Sequence, residues 1–312
     1  MSEYEDGGGP RTSIGGEYAD GCAWVSGEFL PIHRAGMPLT DAGIARSDLT
    51  YDVVAVWEGR FFRLDDHLDR LLRGCERIHL RPPLSREQIR DVLVECVRRS
   101  GLREAYVEAI VTRGLPPRGG RDPRAFTPQF YAYAVPYIWI FNRDQQTIGV
   151  DLVVARDTIR IPSGAVDPTV KNFHWGDLTR GIFEAFERGG MTAVLPDGDG
   201  HVTEGPGFNI FLVLDGTLST PARGVLEGVT RRTVLEIAEE LGIPARVADV
   251  PVGDLYRASE IFLTSTAGGV MPVRTLDGNA VGEGEPGEMT TRIRDRYWAL
   301  HSDERYATEA FG

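Results

Sequence analysis

The order of helix-like and strand-like runs constrains this chain most. Two amphipathic helices in succession lie between strand-like segments, which breaks the regular strand–helix alternation of a doubly wound parallel sheet. In residues 65–79, DDHLDRLLRGCERIH, the side chains Leu68, Leu71, Leu72, Cys75 and Ile78 recur at helical spacing behind an aspartate cap. In 85–100, Ser85 and Gln88 make a capping-box pattern, and Gly101 stops the helix. Ahead of them 22–30 and 51–57 read as strands. After them 106–113 and 129–137 are rich in β-branched or aromatic residues, as strands are. A second unit opens with the apolar run 148–156. It carries helices near 175–189, 228–241 and 286–300, and strands near 191–195, 207–214, 244–250 and 260–266, with Asp215-Gly216 suited to a hairpin turn. There is no internal repeat, GxGxxG or P-loop pattern, so a nucleotide-binding Rossmann unit has no support. The expected architecture is α+β: a polar, Gly-rich disordered tail over 1–20, a small α+β domain over 21–137, an interdomain linker over 138–147, and a larger domain over 148–312.

A length of 312 residues suits one large or two medium domains. The 46 acidic residues outnumber 34 basic ones, and a net charge of −12 argues against a general nucleic-acid or anionic-membrane binder. No run approaches a membrane span, and the N-terminus lacks a signal-peptide pattern. Cys22, Cys75 and Cys96 are odd in number and lack metal-ligand spacing, so neither a metal site nor a disulfide framework is expected, and a cytoplasmic protein is. Of the 34 basic residues, 33 are arginine and one, Lys171, is lysine. On a solvated surface either cation serves. Where chemistry needs a nucleophilic primary amine, arginine cannot substitute, which makes Lys171 the candidate Schiff-base residue.

Four segments support a ligand site around it. Lys171 lies in DPTVKNFHWGDL, at an expected strand end before a helix that Gly176 and Asp177 help to start, where Val170, Phe173 and Trp175 can shield it from water. In TEGPGFNIF (203–211), Glu204 precedes a Gly-Pro-Gly turn and a strand, so backbone there can approach a ligand closely. In GVLEGVTRRTV (224–234), Gly228, Val229 and Thr230 open a helix whose free N–H groups suit a phosphate. TSTAGG (264–269) offers hydroxyls and glycines directly after a strand, a second plausible phosphate contact. The Pro/Gly/Arg-rich loop 114–125 is a candidate mobile active-site segment.

These pieces resemble, in order and over about residues 22–300, the class IV aminotransferases, the pyridoxal-phosphate (PLP) enzymes of fold type IV. Segments 47–71 (SDLTYDVVAVWEGRFFRLDDHLDRL), 167–181, 203–209, 228–234 and 266–272 look most like the (R)-selective amine transaminases within that family. The resemblance implies a smaller N-terminal α+β domain and a larger PLP-binding domain with a pseudo-barrel of strands flanked by helices. It also implies at least a homodimer with the active site near the interface. Lys171 matches the Schiff-base lysine, Glu204 the glutamate on the pyridinium nitrogen, and Arg70 in HLDRL the phosphate-binding arginine. Val229, Thr230 and Thr266 match phosphate-cup positions, with Leu226 on the ring face. Tyr51, Val53, Tyr106, Glu108 and Trp175 match pocket-lining positions.

Branched-chain aminotransferases usually carry a basic residue where this chain has Glu108, which argues against an α-carboxylate anchored there. Arg118 or Arg121 resembles the flexible arginine that receives a keto acid, with Arg118 preferred. Arg46 stands in ARSDLTY where amine transaminases commonly have histidine. It could bind a carboxylate, favouring D-amino acids, or face a subunit interface. His174 is expected to be a packing or interface residue rather than a base. The resemblance thus implies a transaminase moving amino groups between (R)-amines or D-alanine and a keto acid or ketone such as pyruvate. The alternatives are a D-amino-acid transaminase, a branched-chain aminotransferase, an aminodeoxychorismate lyase, or a silent binding protein on the same scaffold.

Overall fold

The computed structural model describes residues 16–311, so residues 1–15 of the expected tail lie outside the described residues. Its last part is ordered: Gly16–Tyr18 forms a single 3-10 turn, and Tyr18 packs against the first hydrophobic core. An aromatic side chain with apolar surface in reach overrides local polarity.

The expected strand over 22–30 is a hairpin. β1 (Cys22–Val25) and β2 (Glu28–Pro31) meet around Ser26-Gly27, both at positive φ. After α1 (Ala42–Arg46), β3 (Leu49–Trp57) turns into β4 (Arg60–Phe62). Next come α2 (Leu64–Arg77), α3 (Arg86–Ser100), β5 (Ala105–Leu115) and β6 (Thr127–Pro136). The capping box at Ser85 and the left-handed Gly101 (φ 68°) bound α3 as the sequence predicts. The cap of α2 differs. Arg63, at φ 55°, is its N-cap without a side-chain cap bond, because a guanidinium has no acceptor to offer; its own N–H donates to the Tyr306 carbonyl at 2.7 Å. Leu64, Leu68 and Leu71 of α2 and Ile89, Leu93 and Val97 of α3 bury against Val54, Val56 and Val107 of the sheet.

The second half of the stretch expected as a linker is helical: α4 (Arg143–Ile148) carries its own capping box, Asn142 with Gln145. There follow β7 (Val150–Val154), α5 (Gly176–Glu187), β8 (Thr192–Val194), β9 (Asn209–Leu214) and β10 (Thr217–Pro221). The chain continues through α6 (Val229–Glu240), β11 (Ala245–Ala248), α7 (Val252–Leu255), β12 (Glu260–Ser265) and β13 (Gly269–Leu276). It ends with β14 (Asn279–Ala280), α8 (Glu288–Ala299) and β15 (Ala307–Glu309). Asp215 and Gly216, both at positive φ, make the β9–β10 turn as expected.

The first sheet is antiparallel throughout, in the order β15-β4-β3-β5-β6-β1-β2. The second is mixed, β11-β10-β9-β12-β13-β7-β8, with parallel pairs β10–β11, β13–β7 and β7–β8. β15 returns the chain to the first sheet, with Thr308 opposite Phe61, so residues 307–309 pair away from the unit in which the sequence placed them. Among the described residues no helix is long and apolar enough to cross a membrane.

Candidate active site

A cavity of about 280 Å³ gathers residues from both sheets. β3 contributes Tyr51 and Val53, α2 contributes Arg70, and β5 contributes Tyr106. From the second unit come Lys171, Trp175, Glu204, Leu226, Val229, Thr230 and Thr266. Every residue expected to hold the cofactor therefore lines one space.

Lys171 is not at a strand end. It lies in the irregular segment before α5, held by its own carbonyl, which accepts from Tyr51 N–H at 3.0 Å and from Thr50 Oγ1 at 2.9 Å. Its Nζ lies 4.4 Å from the Tyr51 ring centroid, and Phe173 packs on that ring at 4.7 Å.

Glu204 is buried, and its two oxygens accept four hydrogen bonds. Oε1 takes Arg160 Nε at 3.3 Å and Nη2 at 3.1 Å; Oε2 takes Leu226 N–H at 2.8 Å and Asn209 Nδ2 at 3.2 Å. Burial pushes its carboxyl pKa up, against the opposing pull of the Arg160 guanidinium. Arg160 also donates to Asp177 Oδ2 at 2.6 Å, tying Glu204 to the first turn of α5.

Arg70 is buried on α2 and faces Asp52, which takes its Nε at 2.7 Å and its Nη2 at 2.8 Å. Burial alone would raise the Asp52 pKa. Arg70 and His67 beside it outweigh that and hold the carboxyl well below the usual range. The third guanidinium nitrogen, Nη1, reaches the Glu227 carbonyl at 3.3 Å, just ahead of α6. Gly228 caps α6 without a side-chain bond, and a Cβ there would stand 2.2 Å from Asn209 Oδ1, so any other residue would displace the Asn209 side chain. Gly228, Val229 and Thr230 at the start of α6 line the cavity, as does Thr266, and a helix N-terminus favours an anion.

The expected substrate residues divide. Tyr51, Val53, Tyr106 and Trp175 line the cavity, and so does His174, which the sequence treated as a packing or interface residue. Among the described residues the lining does not include Glu108, Arg46, Arg118 or Arg121. Glu108 is buried opposite Val53 in the β3–β5 ladder, its Oε2 accepting from Tyr133 Oη at 2.8 Å and Tyr106 Oη at 3.2 Å. Burial raises its pKa, against the tyrosine hydrogen bonds and the nearby Lys171. Arg46 is exposed at the end of α1, 5.4 Å from the Phe126 ring centroid, and Arg118 and Arg121 are exposed on the β5–β6 loop.

Sequence reasoning missed Arg160, Asp52, His67 and Asn209. Their types carry no local signal; only their partners, 5 to 44 residues away in the chain, reveal them.

A family model described as amino-transferase class IV matches residues 49–276. The chain belongs to the class IV aminotransferases. It is 30% identical over 276 residues to a putative branched-chain-amino-acid aminotransferase of Methanocaldococcus jannaschii, covering 88% of this chain and 94% of that one. It is equally identical, over the same length, to a D-alanine aminotransferase of Listeria monocytogenes serotype 4b, covering 88% and 93%. Its structure matches that of the branched-chain amino acid aminotransferase of Thermobaculum terrenum in its PLP form at a TM-score of 0.83 and 25% identity, covering 95% of this chain and 100% of that one. The branched-chain aminotransferase of Thermoproteus uzoniensis with norvaline matches at 0.84 and 28%, covering 93% and 99%.

This aminotransferase is thus an α+β enzyme of fold type IV that uses PLP. The cavity fits that cofactor. A primary amine, a buried carboxylate and an anion-binding end share one space, and Thr264 Oγ1 is buried at its wall without a hydrogen-bond partner.

Proposed function

We propose that this aminotransferase moves an amino group from an (R)-amine or D-alanine to a keto acid or ketone such as pyruvate. The observation that carries the reading is Glu108: outside the cavity lining but buried behind its residues Val53 and Tyr106 and tied to two tyrosine hydroxyls, its carboxyl disfavours a donor's α-carboxylate seated against them. An apolar substituent seated among Val53, Tyr106 and Trp175 meets no such penalty.

In this reading PLP, when bound, supplies an electron sink for the substrate carbon that loses its proton. Lys171 Nζ would hold the cofactor and, as a free amine, would be the group that moves the proton at that carbon. The Tyr51 and Thr50 bonds to its carbonyl fix the base of its side chain while leaving Nζ free to swing. Glu204 would hold the ring nitrogen, where a carboxylate would favour the protonated ring. Arg160 opposes the upward push of burial on the Glu204 carboxyl and ties it in place through two hydrogen bonds. Arg70, the first turn of α6 with Val229 and Thr230, and Thr266 hold the phosphate, and Leu226 packs on the ring.

A second reading, D-amino-acid transamination without simple amines, is favoured by the 30% identity to a D-alanine aminotransferase. In either case Arg118 or Arg121, exposed on the β5–β6 loop and outside the cavity lining, would have to swing inward to receive the keto-acid carboxylate. The working unit is a homodimer or larger homo-oligomer, a reading supported by the exposed apolar side chains Leu39, Phe183 and Phe186. Two domains, 21–137 and 148–312, are supported by the separate core clusters of the two sheets, and a cytoplasmic location by three free, buried cysteines.

The test is a set of single half-reactions followed by loss of the cofactor's absorbance. (R)-1-phenylethylamine and D-alanine should convert it, with (S)-1-phenylethylamine and L-alanine nearly inert. A preference for L-leucine or L-glutamate would overturn the reading in favour of branched-chain chemistry. Reaction with D-alanine alone would select the second reading.

A further inference from the structure

Behind the guanidinium that faces the cavity stands a carboxylate for which the reaction has no direct use. Asp52, only 4% exposed, sits on β3 between Tyr51 and Val53. Strand alternation turns Tyr51 and Val53 to the cavity and Asp52 to α2. There it meets two residues spaced one helical turn apart, His67 and Arg70. Arg70 donates Nε to Oδ2 at 2.7 Å and Nη2 to Oδ1 at 2.8 Å, two nearly parallel charge-assisted bonds. Oδ1 also accepts the Val53 N–H at 2.7 Å and lies 2.7 Å from His67 Nδ1. The carboxylate is therefore itself fixed from strand and helix. Once Nε and Nη2 are committed, the guanidinium plane is set, and Nη1 is the remaining nitrogen, donating to the Glu227 carbonyl just ahead of α6 while Arg70 lines the cavity.

We propose that Asp52 and His67 are positioning residues that hold Arg70 with its Nη1 edge toward the cofactor phosphate. This rests on the reading of Arg70 as a phosphate-binding residue. It makes a statement about sign. Asp52 neutralises the charge of Arg70, so an arginine that acted only as a positive charge would bind phosphate better without it. An arginine that acts by direction binds phosphate worse without it, because its plane is then free to turn. The cost of fixing a long side chain is met in the folded protein instead of at ligand binding.

The experiment compares PLP with pyridoxal, which lacks only the phosphate, in calorimetric titrations of the full-length apoenzyme. In Asp52→Asn the affinity for PLP should fall roughly ten- to a hundredfold, the range expected for loss of charge-assisted hydrogen bonds. Pyridoxal should be little affected, so the ratio of the two affinities collapses. His67→Gln should lower that ratio in the same direction by a smaller factor, and it carries the test alone if Asp52→Asn does not fold. A purely structural role would move both ligands together. An unchanged or increased ratio in these variants, with the ratio lost in Arg70→Ala, overturns the proposal. An unchanged ratio in Arg70→Ala shows instead that the phosphate reading of Arg70 is what fails.

Discussion

Tyr51 holds Lys171 twice: its N–H donates to the lysine carbonyl at 3.0 Å, and its ring centroid lies 4.4 Å from the lysine Nζ. β3 of the first sheet thereby places both ends of a residue that belongs to an irregular segment of the second unit. No regular element is needed around Lys171, because the neighbouring strand supplies the hydrogen bonds that its own segment lacks.

Since Lys171 is the single lysine of the chain, no other side chain can replace its amine. Lys171→Ala should abolish turnover while far-UV circular dichroism and the unfolding midpoint stay near those of the wild type, because the tethering bonds come from the backbone carbonyl. Borohydride reduction followed by peptide mapping should place the cofactor on Lys171. Modification elsewhere, or turnover in the alanine variant, would remove it from the reaction.

Arg160 is the sole positively charged side chain bonded to both Glu204 and Asp177 among the described residues. Arg160→Met leaves two carboxylates of low exposure without their cation, and breaking a buried pair in this way costs about 3–5 kcal/mol. Adding Glu204→Gln should restore part of that loss, so the double variant is less destabilised than the sum of the singles. Denaturant unfolding of the four proteins measures the coupling; strict additivity would mean the three groups do not act together.

His301 gives the fold an acid-sensitive point. It stacks on Phe62 at a centroid distance of 3.9 Å, and burial pushes its pKa down from 6.5 to about 4, against a hydrogen bond with the Tyr297 carbonyl. Above pH 6.5 neither the folded nor the unfolded chain protonates this ring, and its contribution to stability is fully present. As pH falls from 6.5 toward 4 the unfolded chain takes up a proton that the folded chain refuses, so stability is lost across that window. The loss is at most on the order of 3 kcal/mol. His301→Phe, which can keep the stacking, should flatten the midpoint-versus-pH curve there. An identical slope in wild type and variant would assign the acid sensitivity to other groups.

What the sequence made legible was local. The Ser85–Gln88 box, the Gly101 stop and the Asp215-Gly216 turn each depend on residues within one turn, and all three stand where expected. β13 escaped because Pro272 argues against a strand interior. Its parallel pairing to β7 begins only at Val273, after the residue that lacks an N–H. β15 escaped because three residues carry no periodicity until β4 is there to receive them. The core of the site was readable because Lys171, Glu204 and the α6 start lie in distinctive short segments. Asp52, His67 and Arg160 were not: an arginine among 33 has no contrast, and its burial is decided by distant partners.

Glu108 offers the sharpest test of donor choice. Its carboxylate sits opposite Val53, whose side chain lines the cavity, and it contacts the cavity residue Tyr106 through the tyrosine hydroxyl. A donor that carries an α-carboxylate toward this wall is opposed by like charge, whereas a methyl or phenyl group is not. Glu108→Gln keeps the size and can still accept from Tyr106 and Tyr133, so the pocket should hold its shape. It removes the charge and turns one acceptor oxygen into a donor. D-alanine should then gain on (R)-1-phenylethylamine by roughly tenfold in the ratio of half-reaction rate constants, equivalent to about 1.4 kcal/mol. Because burial raises the Glu108 pKa, the wild-type ratio should also move toward D-alanine as pH is lowered and the carboxylate takes up its proton, and the Gln variant should lose that trend. Stopped-flow traces for each donor over a pH series measure both. A ratio that stays put on substitution, or a pH trend that survives it, would show that Glu108 does not discriminate between donors.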